Sequence, residues 1–114
     1  MHEYGVTQQI IKIALDAAAK QNASKIAKVN LVVGEMSGFI GDSIQLYFDI
    51  LSKNTPAEGA ELSIVYIKPQ LKCNKCAITF YKKPYSFDCP ACDGQGEPSP
   101  IGKEFYVDSI EVYD

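Results

Sequence analysis

Apolar positions along the chain follow two different periods, and each period predicts a different element. Val6, Ile10, Ile13, Ala14, Ala17 and Ala18 recur at helical spacing, with Gln8, Gln9, Lys12, Asp16 and Lys20 between them. That pattern gives one apolar face and predicts a helix over about 5–21, ending near Asn22. From Lys28 to Glu35 the period drops to two. Val29, Leu31 and Val33 share one side while Asn30 and Val32 share the other, which predicts a strand. Gly34 to Gly41 holds three glycines and reads as a loop. Ile44, Tyr47, Phe48 and Leu51, at i, i+3, i+4 and i+7, predict a second helix. Asp42 or Ser43 would cap it by accepting the free N–H groups of its first turn. Lys53, Asn54 and Pro56 end it. Glu61 to Lys68 reads as a strand with Leu62, Ile64 and Tyr66 in phase, stopped by Pro69.

The last segment, Glu104 to Tyr113, alternates with one break. Phe105 and Val107 share a phase, and Ile110 and Val112 share the opposite one. A bulge near Asp108–Ser109 would return all four to one face. Before it, Asp93 to Gly102 holds three glycines, Pro98 and Pro100, and reads as a linker. The expected fold is α+β: a small three-stranded sheet with two helices, interrupted by an inserted four-cysteine module. The expected division is 1–70 together with 97–114 as the α/β domain, and 71–96 as the module.

That module carries the strongest chemical signal. Cys73, Cys76, Cys89 and Cys92 form C-x2-C-x12-C-x2-C. Two such pairs, each on a tight turn, can point four sulfurs at one ion. Thiolates, a closed four-ligand shell and no redox demand favour Zn(II), with iron in a rubredoxin-like carrier as the rival. A closed shell has no open position for a substrate, so the site reads as structural. The N-terminus lacks the basic and apolar blocks of a secretory signal, which predicts a reducing, cytoplasmic setting where disulfides are improbable. Lys68, Lys72, Lys75, Lys82 and Lys83 cluster around the module and read as a solvated face. Phe80, Tyr81, Tyr85 and Phe87 read as its small core.

Composition narrows the function classes further. A net charge of -3 argues against nucleic-acid binding, whose affinity comes mostly from Lys and Arg neutralising phosphates. No apolar run is long enough to span a bilayer. The chain has no G-x-x-x-x-G-K-[ST] loop, and its single His leaves no internal Cys–His or Ser–His pair. An enzyme is therefore not expected, and a zinc-ribbon adaptor for protein or nucleic acid stands as the alternative to a metal carrier. That single His lies in Met1-His2-Glu3. His is too large a neighbour for methionine removal, so the free amine of Met1, the amide nitrogen of His2 and its imidazole Nδ1 can chelate one ion through fused rings. Three nitrogens in a plane, one an ionised amide, suit Ni(II) or Cu(II). An open fourth position at a chain end suits hand-over better than storage.

These features together resemble the HypA/HybF family of hydrogenase maturation proteins, which are nickel metallochaperones. The matching stretches are Met1-His2-Glu3, Val33-Gly34-Glu35-Met36-Ser37-Gly38, Ala57-Glu58-Gly59-Ala60-Glu61-Leu62, the two C-x2-C pairs and Ser109-Ile110-Glu111-Val112. They are spread over essentially the whole chain. The resemblance implies transient Ni(II) at the N-terminus, with His2 a ligand and Met1 and Glu3 contributing main-chain groups. It also implies structural Zn(II) on Cys73, Cys76, Cys89 and Cys92. The implied partners are a HypB-like GTPase, a hydrogenase large subunit and, in some members, urease maturation proteins. An exposed edge strand and the Pro/Gly linker would also allow a homodimer. Two departures from the family pattern bear on structure. Tyr4-Gly5-Val6-Thr7 replaces a Leu-Ser-Leu-Ala-like run, and Gly5 is expected to loosen the start of the first helix. Ala77 replaces the Gly usual after the second cysteine, so that turn is expected to differ.

Overall fold

The computed structural model describes residues 2–113. The elements run α1 (His2–Lys20), β1 (Ile26–Gly34), α2 (Gly41–Leu51), β2 (Glu61–Ile67), β3 (Leu71–Cys73), β4 (Thr79–Phe80), β5 (Gly96–Pro98) and β6 (Phe105–Val112). They form two three-stranded sheets, ordered β2-β1-β6 and β4-β3-β5. The molecule is elongated, with extents of 56 × 29 × 16 Å and a radius of gyration of 18.0 Å. A compact chain of this length would have a radius of about 13 Å.

In the larger sheet β1 is central, parallel to β2 and antiparallel to β6. Its pleat sends Val29, Leu31 and Val33 inward, where they meet Ile10, Ile11, Ala14 and Ala18 of α1 and Ile44 and Phe48 of α2. Burial of this apolar set, at about 25 cal/mol per Å² removed from water, is what holds the helices on one face. Lys28, Glu61 and Glu111 lie on the opposite face, with Lys28 Nζ 3.9 Å from Glu61 and 4.0 Å from Glu111. The break in the β6 pattern is a bulge. Asn30 pairs with Ser109 and Leu31 with Val107, so Asp108 is the extra residue. Phe105, Val107, Ile110 and Val112 all pack against the core as a result.

Several expectations fail locally. α1 starts at His2 rather than near residue 5, and Gly5 lies within it. Glu3, Tyr4 and Thr7 hold its first turns. Glu3 is buried, the Tyr4 ring meets Tyr47 of α2 edge-on at 5.5 Å, and the Thr7 hydroxyl donates to the Glu3 carbonyl. Ile13 is exposed, outside the buried stripe. The N-cap of α2 is Ile40, with no side-chain cap bond, so neither Asp42 nor Ser43 serves. Gly41 opens that helix because Tyr66 and Ile64 crowd it: a Cβ there would sit 1.8 Å from the Tyr66 hydroxyl.

The segment 93–102 is not a plain linker. It contains β5, which pairs with β3. The two chain segments joining the sheets are themselves bonded together. Gln70 N–H donates to Ile101, Ser99 Oγ to the Gln70 carbonyl, and Met36 N–H to Gly102. Backbones cross so closely here that a Cβ on Gly34 would lie 2.2 Å from the Gly102 carbonyl oxygen.

Candidate metal centre

β3 and the turns that follow it bring the four cysteines together. Cys73 ends β3, and its N–H donates to Ile78 across the Asn74–Ala77 turn. Asp88 bridges to Gln95, and Cys89 N–H donates to Gly94, which closes the second turn around Cys92. Asn74 links the two turns: its N–H donates to the Gln95 carbonyl, and its Oδ1 accepts from the Gln95 N–H. The four sulfurs all lie within 4.8 Å of one another. Cys73 Sγ is 3.5 Å from Cys92 Sγ, and Cys76 Sγ is 3.7 Å from Cys89 Sγ. A tetrahedron of sulfurs at the usual Zn–S distance has edges of about 3.8 Å, so the donor set fits a four-thiolate ion. None of the four is in a disulfide.

Backbone N–H groups are aimed at three of the sulfurs. Lys75 and Cys76 donate to Cys73, Ala91 to Cys89 and Gly94 to Cys92, at 3.2–3.4 Å. Such donors favour the thiolate. The N–H groups of Cys76 and Lys75 draw the Cys73 thiol down to about 6. Gly94 N–H acts the same way on Cys92. The negative Cys73 sulfur, burial, and then Cys76 and Cys89 outweigh it and push Cys92 up to about 12. Cys73 and Cys92 are thus driven in opposite directions, and Cys92 is the one that holds its proton. Ala77 adopts a left-handed backbone, φ +67°. The turn that Gly usually makes is kept here, at a cost of roughly 1–2 kcal/mol for a residue with a Cβ.

The small core around the cluster is mostly sulfur: Cys73, Phe80 and Cys89 are buried, with Leu71 and Cys92 packed on them. Of the aromatics expected there, Phe80 alone is buried, while Tyr81, Tyr85 and Phe87 are exposed. Lys82 Nζ lies over the Phe87 ring at 4.8 Å, and Lys75 pairs with Asp93 at 2.9 Å on the surface.

Of the stretch Met1-His2-Glu3, the described backbone begins at His2, the first residue of α1. Met1 and the His2 side chain lie outside the described residues, whereas the His2 backbone is helical. Glu3 is only 5% exposed, so its carboxylate is turned into the protein. The first half of α1 lies over Leu31 and Phe105–Val107, since Val6, Gln9, Ile10 and Ile13 line one cleft with them. The helix start therefore sits at the end of the larger sheet from which the chain passes to the cysteine cluster. Sequence reasoning missed the burial of Glu3 and of Thr7. Their spacing of four in a first helical turn is the signal that was available.

Among the described residues, fold and cluster define a small α+β protein with a preformed four-sulfur cluster that could hold a metal ion. The family model described as "Hydrogenase/urease nickel incorporation, metallochaperone, hypA" matches residues 1–112, and the chain belongs to this family. A "Hydrogenase maturation factor HypA" of Caldanaerobacter subterraneus subsp. tengcongensis is 44% identical, covering 98% of this chain and 99% of the relative. One from Dehalococcoides mccartyi is 39% identical, covering 100% and 96%. Among solved structures, a solution structure of HypA protein superposes with a TM-score of 0.75 at 26% identity, covering 99% and 97%. That of the Ni metallochaperone HypA from Helicobacter pylori gives 0.65 at 25% identity, covering 96% of each chain. The family is one of metallochaperones acting in hydrogenase and urease nickel incorporation, not of enzymes. No described helix is long and apolar enough to cross a membrane.

Proposed function

We propose that this chain binds Ni(II) through Met1, His2 and Glu3 and delivers it during maturation of [NiFe]-hydrogenase. In this reading Cys73, Cys76, Cys89 and Cys92 hold a structural Zn(II). The observation that carries the nickel half is that the long helix α1 begins at His2. The first N–H groups of a helix have no intrahelical acceptor, so the His2 amide can give up its proton to a metal without breaking a helical bond. The positive end of the helix dipole favours the resulting amide anion and disfavours a protonated Met1 amine. His2 supplies Nδ1 as the third nitrogen. Glu3 contributes through its main chain, since its side chain is buried. The ion is cargo: Met1 and His2 hold it on three nitrogens, and the Glu3 main chain keeps the fourth position until the acceptor takes it.

When bound, zinc supplies the crosslink that a core this small lacks. The N–H groups of Lys75, Cys76, Ala91 and Gly94 hold the sulfurs in place and stabilise their charge. We take 71–96 as the zinc-binding unit and 1–70 with 97–114 as the nickel-binding unit. The receiving partners in this reading are a HypB-like GTPase and a hydrogenase large subunit, with urease maturation proteins as a second route, all in the cytoplasm. Calorimetric nickel titration of untagged His2→Ala protein tests the assignment. Nickel binding is lost while zinc content and melting are kept. Unchanged nickel affinity would move the ligands elsewhere.

A further inference from the structure

We propose, on the reading that the cluster holds zinc, that Cys76 is its oxidation site: a peroxide attacks there first, a Cys76–Cys89 disulfide forms, and the zinc is released. The four cysteines are not equivalent. Cys73 and Cys89 are buried and Cys92 is half-buried, whereas Cys76 is exposed. The N–H groups that steady the sulfurs are divided just as unevenly. Cys73 accepts from Lys75 and Cys76, Cys89 from Ala91 and Cys92 from Gly94. Among the described residues no N–H donates to the Cys76 sulfur, which lies 3.7 Å from Cys89 Sγ.

The two C-x2-C turns differ at this one place. Gly94, two residues after Cys92, aims its N–H at that sulfur. Ile78 holds the matching place after Cys76. There the chain turns back toward β4 through Ala77 at φ +67°, and the Ile78 carbonyl accepts from Cys73 N–H. With zinc bound all four sulfurs are thiolates, so access and nucleophilicity decide which one reacts. A donor that stabilises a thiolate also blunts its attack. Cys76 is the exposed cysteine and the one whose sulfur no N–H blunts.

The chemistry balances with hydrogen peroxide as the oxidant. The Cys76 sulfur attacks one peroxide oxygen, the O–O bond breaks and hydroxide leaves. Cys76 is then a sulfenic acid, and the peroxide has gained the two electrons it lost. The Cys89 sulfur attacks the Cys76 sulfur, the S–O bond breaks and a second hydroxide leaves. Two protons from solvent turn both hydroxides into water. The two sulfurs close from 3.7 Å to about 2.05 Å. The ion is left with Cys73 and Cys92 alone, half of its shell, and is lost. Those two sulfurs, 3.5 Å apart, pair in the same way with a second peroxide. The first disulfide ties the same two turns that the ion tied, so reduction returns the site to a zinc-binding state.

The test uses the full chain, with its zinc content measured first. One equivalent of hydrogen peroxide should release zinc to a chromophoric chelator, and peptide mass spectrometry should find Cys76 joined to Cys89. Dithiothreitol with added zinc should restore the zinc content. Sub-stoichiometric iodoacetamide should label Cys76 about tenfold faster than Cys92, because a donor that lowers a thiolate's basicity about a hundredfold slows its attack about tenfold. No ligand is replaced in either arm. First labelling at another cysteine, or a first disulfide within either C-x2-C pair, overturns the assignment to Cys76. So does zinc that stays bound while Cys76 is oxidised. A chain that takes up no zinc overturns the zinc reading and this proposal with it, whereas a zinc-loaded chain attacked elsewhere overturns this proposal alone.

Discussion

Gly94→Ala should damage the metal centre without replacing a ligand. A Cβ at Gly94 would lie 2.7 Å from Cys73 Sγ, 2.9 Å from Asn74 Oδ1 and 3.1 Å from the Lys75 Cβ. Non-bonded carbon and sulfur sit comfortably near 3.5–4.0 Å, so the sulfur or the turn must retreat by about 1 Å. Cys73 cannot retreat freely, because the N–H groups of Lys75 and Cys76 hold its sulfur at 3.3 and 3.4 Å. Nor can residue 94, whose N–H donates to Cys92 Sγ at 3.2 Å and whose carbonyl accepts from Cys89. Metal sites tolerate ligand displacements of roughly 0.2 Å. Zinc affinity should therefore fall by about 10–100-fold, the usual cost of disturbing groups that orient ligands. That is about 1.4–2.8 kcal/mol. Competition against a chromophoric chelator reads it directly. Gly5→Ala is the control, since a Cβ there meets nothing within 4 Å. Wild-type zinc affinity in Gly94→Ala would refute the view that packing against the sulfur sets the site's geometry.

Two further outcomes follow from the same centre. Ala77→Gly should stabilise the zinc-loaded turn by roughly 0.5–1 kcal/mol, because glycine relieves the left-handed strain at some entropic cost. Slower amide exchange at Cys76 and Ile78 checks it, and faster exchange would contradict it. With Cys73 drawn down to about 6 and Cys92 pushed up to about 12, the metal-free cluster near neutral pH keeps a proton on Cys92 that zinc must displace. Protons compete with zinc for the sulfurs, so apparent zinc affinity should rise with pH across that interval and fall steeply below its lower end. Calorimetry in buffers of different ionisation enthalpy counts the protons released, at least the one on Cys92. Release of none at neutral pH would contradict a protonated Cys92.

The α/β frame was legible where periodicity runs long enough. The stripe of α1, the alternation of β1 and the phase break that marks the Asp108 bulge all survive in the structure. The second sheet was hidden. β3, β4 and β5 are two or three residues long and carry Lys, Thr and Pro, too short and too polar for any period to register. The start of α1 was hidden for another reason. Residues 2–5 include no good cap and one glycine, so local propensity opposes a helix that tertiary contacts of Glu3, Tyr4 and Thr7 enforce. The cysteine cluster was legible from spacing alone, because two tight turns leave few ways to place four sulfurs. The aromatics beside it misled: a core made of sulfur needs little from Tyr81, Tyr85 or Phe87, and they stay in solvent.

The central claim is that nickel is held by the chain's own first residues, and the Met1 amine offers the most direct test. Nickel titration of zinc-loaded protein with its native terminus should be compared with the same protein carrying Gly-Ser before Met1, across a range of pH. The extension turns the amine into an amide and shifts the chelate register. It should weaken nickel strongly and leave zinc unchanged. For the native terminus, affinity should rise with pH through the range where an imidazole (about 6.5) and an α-amine (about 7.7–8.0) lose their protons. A Gly-Ser-extended protein that binds nickel as tightly as the native one, with the same pH dependence, would contradict amine ligation and the account built on it.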